Sequence, residues 1–413
     1  MQRTSPIFLL YSFLFASASA QGLYQASNSA EEPMPLKWGV GANVIFDDNV
    51  ASAEQKVSSI GFNPALTLAV TSTTPQTIWD VNGRLGLIYY PSPPKIGTGP
   101  TAQPIDDLSN QSRLSANLSH NFTERLRFTS NNMASREREP EYAYGIASGR
   151  QGANTGGEYI SLNTDNSFGF RWTQRIGTVT GLKLGQITNP GTSKSSDSDR
   201  ITYELHHQFR FQYSKQSVIT GDYRYVEGTA SGTNSQDSTD HYLALGDEYR
   251  FSPNTIGILK AGTQLHDIVG GKSSTSPYLD ASASSQVNKQ LALKIFTRYS
   301  LESEGLYRDD VNYSAHQALR VGVTGDYMIS PKFSIITGFD YIPSTYQDGL
   351  SSIPKTDTSD KSESLINAYV TASVKFNDFL SGSISYTFTD QTSDFQTANY
   401  NRNRISLGLN ANF

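Results

Sequence analysis

The six histidines are the residues best suited to metal binding or acid–base chemistry, and their spacing supports neither. They are His120, His206, His207, His241, His266 and His316. His206 and His207 are neighbours in a segment of alternating polar and apolar residues, so their side chains point to opposite faces of a strand. The sequence contains no cysteine, which excludes disulfide frameworks, Cys-zinc sites, iron–sulfur clusters and a lipoprotein anchor. We predict no metal site and no cofactor.

Nucleophilic catalysis and phosphate binding each need a local pattern that is absent. No Gly-x-Ser-x-Gly elbow is present to expose a nucleophilic serine. The run GRQGANTGG at 149–157 is rich in glycine. A phosphate loop, however, needs a preceding buried strand, a following helix and a Lys-Ser or Lys-Thr pair, and this run has none of them. We interpret the run as a flexible loop and predict no catalytic residues.

The composition favours a β protein in which each strand has one polar face. The chain has 413 residues, a formal net charge of -5 and a hydrophobic fraction of 37%. The polar excess comes mainly from Ser, Thr, Asn, Gln and Gly, while 23 Tyr and 20 Phe argue against disorder. No block of Lys or Arg is present, so we expect no nucleic-acid partner.

The N-terminus has the features of a cleaved signal peptide. Arg3 supplies the positive charge, residues 7–15 form a short apolar core, and Ala18-Ser19-Ala20 offers a cleavage site. The alternative is a membrane anchor, but the apolar run is too short to span about 30 Å of hydrocarbon. We predict a signal peptide at 1–20, a short periplasmic segment at 21–35 and a barrel at 36–413.

Strand-length segments with a period of two recur along the rest of the chain. The clearest is Leu380–Thr389, in which apolar residues and glycine alternate with Ser and Thr. Ile201–Tyr213, Ile160–Trp172 and Leu319–Tyr327 follow the same pattern. No segment after the signal peptide shows helical periodicity.

The connections between these segments alternate in length. Eight short polar turns and nine longer loops rich in Gly, Ser, Pro, Asp and Asn make about eighteen strands, with sixteen to eighteen consistent with the pattern. Both chain ends then lie on the same side. An even number of strands with short turns at one end and long loops at the other is typical of bacterial outer-membrane barrels. We predict an all-β, transmembrane, antiparallel up-and-down β-barrel.

Alternation by itself also fits a soluble sandwich or propeller, and the charged residues decide between these folds. A wide barrel can hydrate charges on its inner face, whereas a dry core cannot. The predicted lumen-facing residues are Arg84, Arg113, Arg171, Lys183, Glu204, Arg210, Asp222, Arg298, Arg320, Asp326 and Arg404. Two interpretations of the arginines stay open, namely a ladder that favours anions or guides sugars, and a paired or hydrated wall without selectivity.

Aromatic residues near the short turns predict a girdle at the periplasmic membrane interface. They are Phe122, Tyr213, Phe251, Tyr327, Phe333, Phe376 and Phe379. The chain ends within an alternating strand, Asn401–Phe413. A terminal Phe413 in that position predicts an assembly signal read by the barrel-assembly machinery.

The start LKWGVGANVIFDDN from Leu36, the hairpin array and the ending RISLGLNANF resemble the β-barrel porin 2 family. The resemblance implies a location and a fold, and no functional residues can be carried over from it. The resulting expectation is a porin-like channel for passive diffusion of small polar solutes, in contact with outer-membrane lipid. The alternatives are a non-channel barrel in exopolysaccharide export or surface adhesion, and an outer-membrane enzyme.

Overall fold

The computed structural model describes residues 34–91, 95–96, 103–104, 107–137, 158–188, 199–231, 236–269, 272–302, 307–308, 311–351, 356–395 and 398–413. The predicted signal peptide at 1–20 and the glycine-rich run at 149–157 lie outside these residues. Within them, no helix is long and apolar enough to cross a membrane.

Eighteen long strands form one sheet that closes on itself. In chain order they are β1 Met34–Asp47, β2 Ser59–Thr73, β3 Thr77–Tyr89, β4 Leu108–Asn110 with Ser112–Asn121, β5 Leu126–Glu137, β6 Tyr159–Arg171, β7 Ile176–Thr188, β8 Asp199–Gln212, β9 Ser217–Ser231, β10 Ser238–Ser252, β11 Thr255–Ile268, β12 Ser274–Gln286, β13 Leu291–Glu302, β14 Ala315–Ser330, β15 Phe333–Gln347, β16 Lys361–Lys375, β17 Leu380–Ser393 and β18 Tyr400–Asn412. Each strand pairs antiparallel with its neighbours in the chain. Two small hairpins, Lys95–Ile96 with Gln103–Pro104 and Tyr307–Arg308 with Val311–Asn312, belong to the long connections.

The barrel closes where the first strand meets the last. β1 pairs with β18 from Gly39 opposite Asn412 to Asp47 opposite Arg404. At the short-turn end, Trp38 and Phe413 exchange backbone hydrogen bonds of 3.1 and 2.7 Å, and their rings stack at 4.5 Å. Because the sheet has no free edge, the strand backbones hydrogen-bond within the wall, as a bilayer requires.

Five of the eight short turns are capped by the same pair of side-chain hydrogen bonds. In the turn before β5, Thr123 Oγ1 accepts hydrogen bonds from the backbone N–H groups of Arg125 and Leu126. Thr173, Ser214, Asn288 and Asn377 hold the equivalent position in four other turns. These side chains are the ones that favour tight turns, since each can replace a missing backbone acceptor.

The predicted antiparallel barrel of eighteen strands is confirmed, and both ends of the described chain lie at the short-turn end. Two of the nine loops predicted from the sequence, Gly228–Thr239 and Ser344–Lys361, were too long. In the structure β9 extends to Ser231, β10 begins at Ser238 and β15 extends to Gln347. Their Gly, Ser and Thr content suggested loops, yet strands that project into water need no apolar face.

Strand register separates an apolar face from a polar one. In β17, Ile384 and Tyr386 are 51% and 41% exposed, while Ser383 and Ser385 lie on the opposite face. The same holds around the barrel, where the exposed large apolar residues of the strands lie on the outer face. The outer face is therefore an apolar band, and the polar side chains line the interior.

Candidate functional site

The inner face of the barrel is the candidate site. Direct cross-strand pairs place residues on the same face of a sheet, so register can be followed from strand to strand. Arg84 pairs with Arg113, Lys183 with Glu204, and Arg298 with Arg320. Followed in this way, all eleven predicted lumen-facing residues fall on the inner face.

Basic residues outnumber acidic ones on this face. The inner cations of the strands are Lys37, Arg84, Arg113, Arg127, Arg171, Lys183, Arg200, Arg210, Arg224, Arg250, Lys260, Lys294, Arg298, Arg320, Lys361, Lys375, Arg402 and Arg404. The inner carboxylates are Asp47, Asp80, Glu137, Asp165, Glu204, Asp222, Asp240, Glu248, Asp280, Glu302, Asp326, Asp340 and Glu363. The interior is thus basic in a chain whose net charge is -5.

Many of these charges form ion pairs between neighbouring strands or between strands separated by one other strand. Arg113 contacts Glu137 at 2.8 Å. Arg298 contacts Asp280 at 2.9 Å, and Lys260 contacts Asp222 at 2.9 Å. Arg320 with Glu302, Arg210 with Glu248 and Arg402 with Asp47 are largely buried pairs. Pairing lowers the charge that a solute would meet, so the remaining basic excess is smaller than the residue count suggests.

The most elaborate cluster lies on the wall formed by β9 to β13. The Arg224 guanidinium sits 4.2 Å from the centroid of the Tyr242 ring and 4.9 Å from that of Tyr278. Tyr278 donates a hydrogen bond of 3.0 Å to Asp280, which also binds Arg298. Cation–π contact and hydrogen bonding hold the side chains of this wall in fixed positions.

The wall opposite carries fewer charges. At mid-height Arg404 lies directly across from Thr387, and Arg84 donates a hydrogen bond to Asn63. The other polar inner residues of this wall are hydroxyl and amide side chains, namely Asn43, Asn63, Thr67, Thr371, Ser373, Ser383, Ser385, Thr387, Ser406 and Asn410. A solute in the interior would meet more fixed charges on the wall from β9 to β13 than on the wall opposite, where neutral hydrogen-bonding groups predominate.

Two apolar clusters lie at the long-loop end of the barrel. Val50 and Ala51, from the connection after β1, pack with Ile45, Ile88 and Tyr90. Across the mouth, Ile268, Val311, Tyr313, Tyr346, Phe395 and Ala398 form the second cluster. In both clusters, residues of a connecting segment pack against inner-face residues of the strands. Sequence reasoning missed them, although apolar residues at inner positions near strand ends, such as Ile45 and Ile88, were a readable signal.

The histidines divide as the alternation predicts. His206 lies on the inner face opposite Arg224, and His207 lies on the outer face, hydrogen-bonded to Thr180 at 2.8 Å. Fully buried His266 binds Asp240 through Nδ1 at 2.8 Å, and its Nε2 has no hydrogen-bond partner in the described chain. Among the described residues, no serine or threonine hydroxyl is hydrogen-bonded to Nε2 of His266. The described residues contain no group of three potential metal ligands.

The seven predicted girdle residues all lie on the outer face or in turns. Phe122, Tyr213, Phe251, Tyr327, Phe376 and Phe379 are exposed, and Phe333 is half-buried. Sequence reasoning missed Trp38, Trp79 and Trp172, which also lie on the outer face at the short-turn end of the barrel. Trp172 directly precedes a short turn, so the rule that selected the other seven applied to it as well.

No family model and no curated protein matches this sequence. Among solved structures, the siderophore receptor PirA from Pseudomonas aeruginosa aligns over 93% of this chain and 81% of its own, with 12% identity and a TM-score of 0.42. OccAB4 from Acinetobacter baumannii aligns over 92% and 99%, with 10% identity and a TM-score of 0.43. OpdK from Pseudomonas aeruginosa, solved with vanillate, aligns over 93% and 100%, with 8% identity and a TM-score of 0.46. At these values the likeness identifies no function for this chain.

Proposed function

We propose that the chain is an outer-membrane channel for passive diffusion of small polar solutes. The observation that carries the proposal is the inverted distribution of side chains in a closed barrel of eighteen strands. Apolar side chains cover the outside, and ionised side chains line the inside. Barrels of this strand number have room for an aqueous channel. A signal peptide at 1–20 and assembly through the strand that ends at Phe413 are consistent with this location.

The basic inner face supports a mild preference for anions. Lys183 and Glu204 form a loose pair at 3.7 Å, and their side chains remain 38% and 15% exposed. Because the Lys183 ammonium is partly exposed to the lumen and Glu204 is paired with it only loosely, both act on permeating ions through the local potential. Charges that are locked in buried pairs contribute less, since each partner cancels most of the other's field.

Planar-bilayer recording of the purified, folded chain tests the proposal. We expect stepwise conductance, and in a KCl gradient a reversal potential of the sign that indicates anion preference. Lys183→Gln and Glu204→Gln should move that potential in opposite directions, since they remove opposite charges at one position. Folded protein without conductance would contradict the channel, and equal shifts from both variants would contradict the electrostatic account.

A second candidate is a non-channel barrel that serves in polysaccharide export or surface adhesion. The two apolar clusters at the long-loop end favour it, because in each of them a connecting segment packs against inner-face residues of the barrel. It predicts little or no conductance until a cluster is removed. Replacing Tyr313 and Phe395 with Ser should then open a measurable conductance, whereas the channel proposal expects the unmodified protein to conduct.

A further inference from the structure

The short-turn end of the barrel carries a collar of exposed cations. Arg125, Arg175, Lys215, Lys289 and Lys332 each lie in a different short turn, and all five are exposed. The same eight turns contain two carboxylates, Glu124 and Asp378. Asp378 binds Lys375, the last residue of β16, at 3.1 Å, so this ion pair neutralises part of the negative charge of the turns.

The opposite end has the reverse composition. The nine long connections contain sixteen Asp and Glu against eight Lys and Arg. The collar therefore differs both from the net charge of the chain and from its other rim. A general need for surface charge would not place cations at one end and carboxylates at the other.

Aromatic side chains beside the cations fix the depth of the collar. Phe122 and Trp172 begin the turns that contain Arg125 and Arg175, and Tyr213 lies two residues before Lys215. Phe122, Trp172 and Tyr213 are 52%, 58% and 68% exposed. The amphipathic rings of Trp and Tyr settle at the headgroup level of a bilayer, and Lys and Arg side chains next to them reach the phosphates.

From these observations we propose that the collar binds the headgroups of anionic phospholipids in the leaflet at the short-turn end. The inference rests on the proposed membrane location and adds a lipid preference to it. The ligand chemistry is a phosphodiester that carries a net negative charge, as in phosphatidylglycerol. A zwitterionic headgroup offers the same phosphate but also an ammonium group that the collar repels.

The fluorescence of the chain's own tryptophans can report this binding. Its three tryptophans, Trp38, Trp79 and Trp172, all lie on the outer face at the short-turn end. Brominated lipid next to them quenches their fluorescence. Vesicles of brominated phosphatidylcholine containing increasing amounts of unbrominated phosphatidylglycerol therefore report which lipid occupies the collar. Phosphatidylethanolamine in place of phosphatidylglycerol is the zwitterionic comparison.

We expect phosphatidylglycerol to restore fluorescence at a mole fraction at least about threefold lower than phosphatidylethanolamine. A variant with all five cations changed to Gln should lose this difference. The matched control changes Lys56 and Lys272, which lie in long connections, to Gln and should keep it. High salt should also weaken the preference of the unmodified protein, because it screens exposed charges.

Several outcomes overturn the inference. Equal recovery of fluorescence with both lipids, or a preference for phosphatidylglycerol that persists in the five-residue variant, would show that the collar does not select anionic headgroups. Sedimentation with peptidoglycan that is lost in the five-residue variant, without a lipid preference, would assign the collar to an anionic polymer instead. Should the five-residue variant fail to fold, Arg125→Gln with Arg175→Gln and the salt dependence test the same point. Absence of any quenching by brominated lipid would instead refute the membrane location itself.

Discussion

We expect the ion pair between Arg402 and Asp47 to stabilise the seam at which β1 and β18 close the barrel. β1 and β18 join nine residue pairs, against fourteen between β8 and β9. At the loop end of the seam, Arg402 Nε donates hydrogen bonds of 3.1 and 3.0 Å to the two carboxylate oxygens of Asp47, and a second guanidinium nitrogen donates to the same group. The two residues are 7% and 3% exposed.

Removing one partner leaves the other buried without its counter-charge. Such a change typically costs about 3–5 kcal/mol. We therefore expect Arg402→Met to lower the free energy of unfolding by that amount. Asp47→Asn should cost somewhat less, because the amide oxygen can still accept the hydrogen bond from the Asn49 N–H, which is 3.0 Å long.

Urea titration of the folded chain in lipid vesicles, followed by tryptophan fluorescence, measures these changes. The double variant Arg402→Met with Asp47→Asn should be more stable than the sum of the single effects predicts, since it leaves no unpaired charge. The exposed pair of Lys56 with Asp48, at 2.9 Å and 41% and 36% exposed, is the control. Lys56→Met should cost less than about 1 kcal/mol. Additive single effects, or equal costs for Arg402→Met and Lys56→Met, would show that the buried ion pair does not stabilise the closure of the barrel.

Two further predictions concern packing and pH. A Cβ at Gly322 would lie 2.3 Å from Phe296 Cζ and 2.6 Å from Asp340 Oδ1, so Gly322→Ala should cost about 1–3 kcal/mol in urea titration. Gly169→Ala, on the same inner face with no atom nearer than 3.9 Å, is its control, and equal costs would contradict the packing argument. In the connection after β17, hydrogen bonds from the Ser362 hydroxyl and N–H hold the pKa of Asp394 below its ordinary value of 3.8, so its stabilising contribution is present at neutral pH and is lost as the pH falls through the lowered pKa. Ser362→Ala should raise this pKa towards 3.8 in a carbon-13 NMR titration of the carboxyl, and an unchanged value would show that the hydroxyl has no part in it.

The strand number and the faces of the strands could be predicted because both depend on local patterns. Alternation along Leu380–Thr389 gives the two faces of β17 without knowledge of its neighbours, and the turn that follows Trp172 is marked by its own Thr173. The inner position of Arg224 could also have been predicted from the sequence. It lies two residues after Asp222, which was assigned to the inner face, and a period of two carries the assignment forward.

Partners across the barrel could not be predicted in the same way. The contact of Asp47 with Arg402 joins residues separated by 355 positions, and it exists because the last strand meets the first in one particular register. The packing of Tyr313 against Tyr346 and Phe395 likewise depends on how two connections fold back into the mouth. Sequence alternation fixes the face on which a side chain lies but not its neighbours at the far end of the chain.

Cysteine scanning of β17 tests most directly whether the interior is wet and the exterior faces lipid. The chain has no cysteine of its own, so single replacements at Ser383, Ile384, Ser385 and Tyr386 can be labelled without background. In vesicles, a water-soluble maleimide should react at 383 and 385 and fail to react at 384 and 386. Uniform labelling, or labelling at 384 and 386 alone, would contradict a barrel with a polar, hydrated interior.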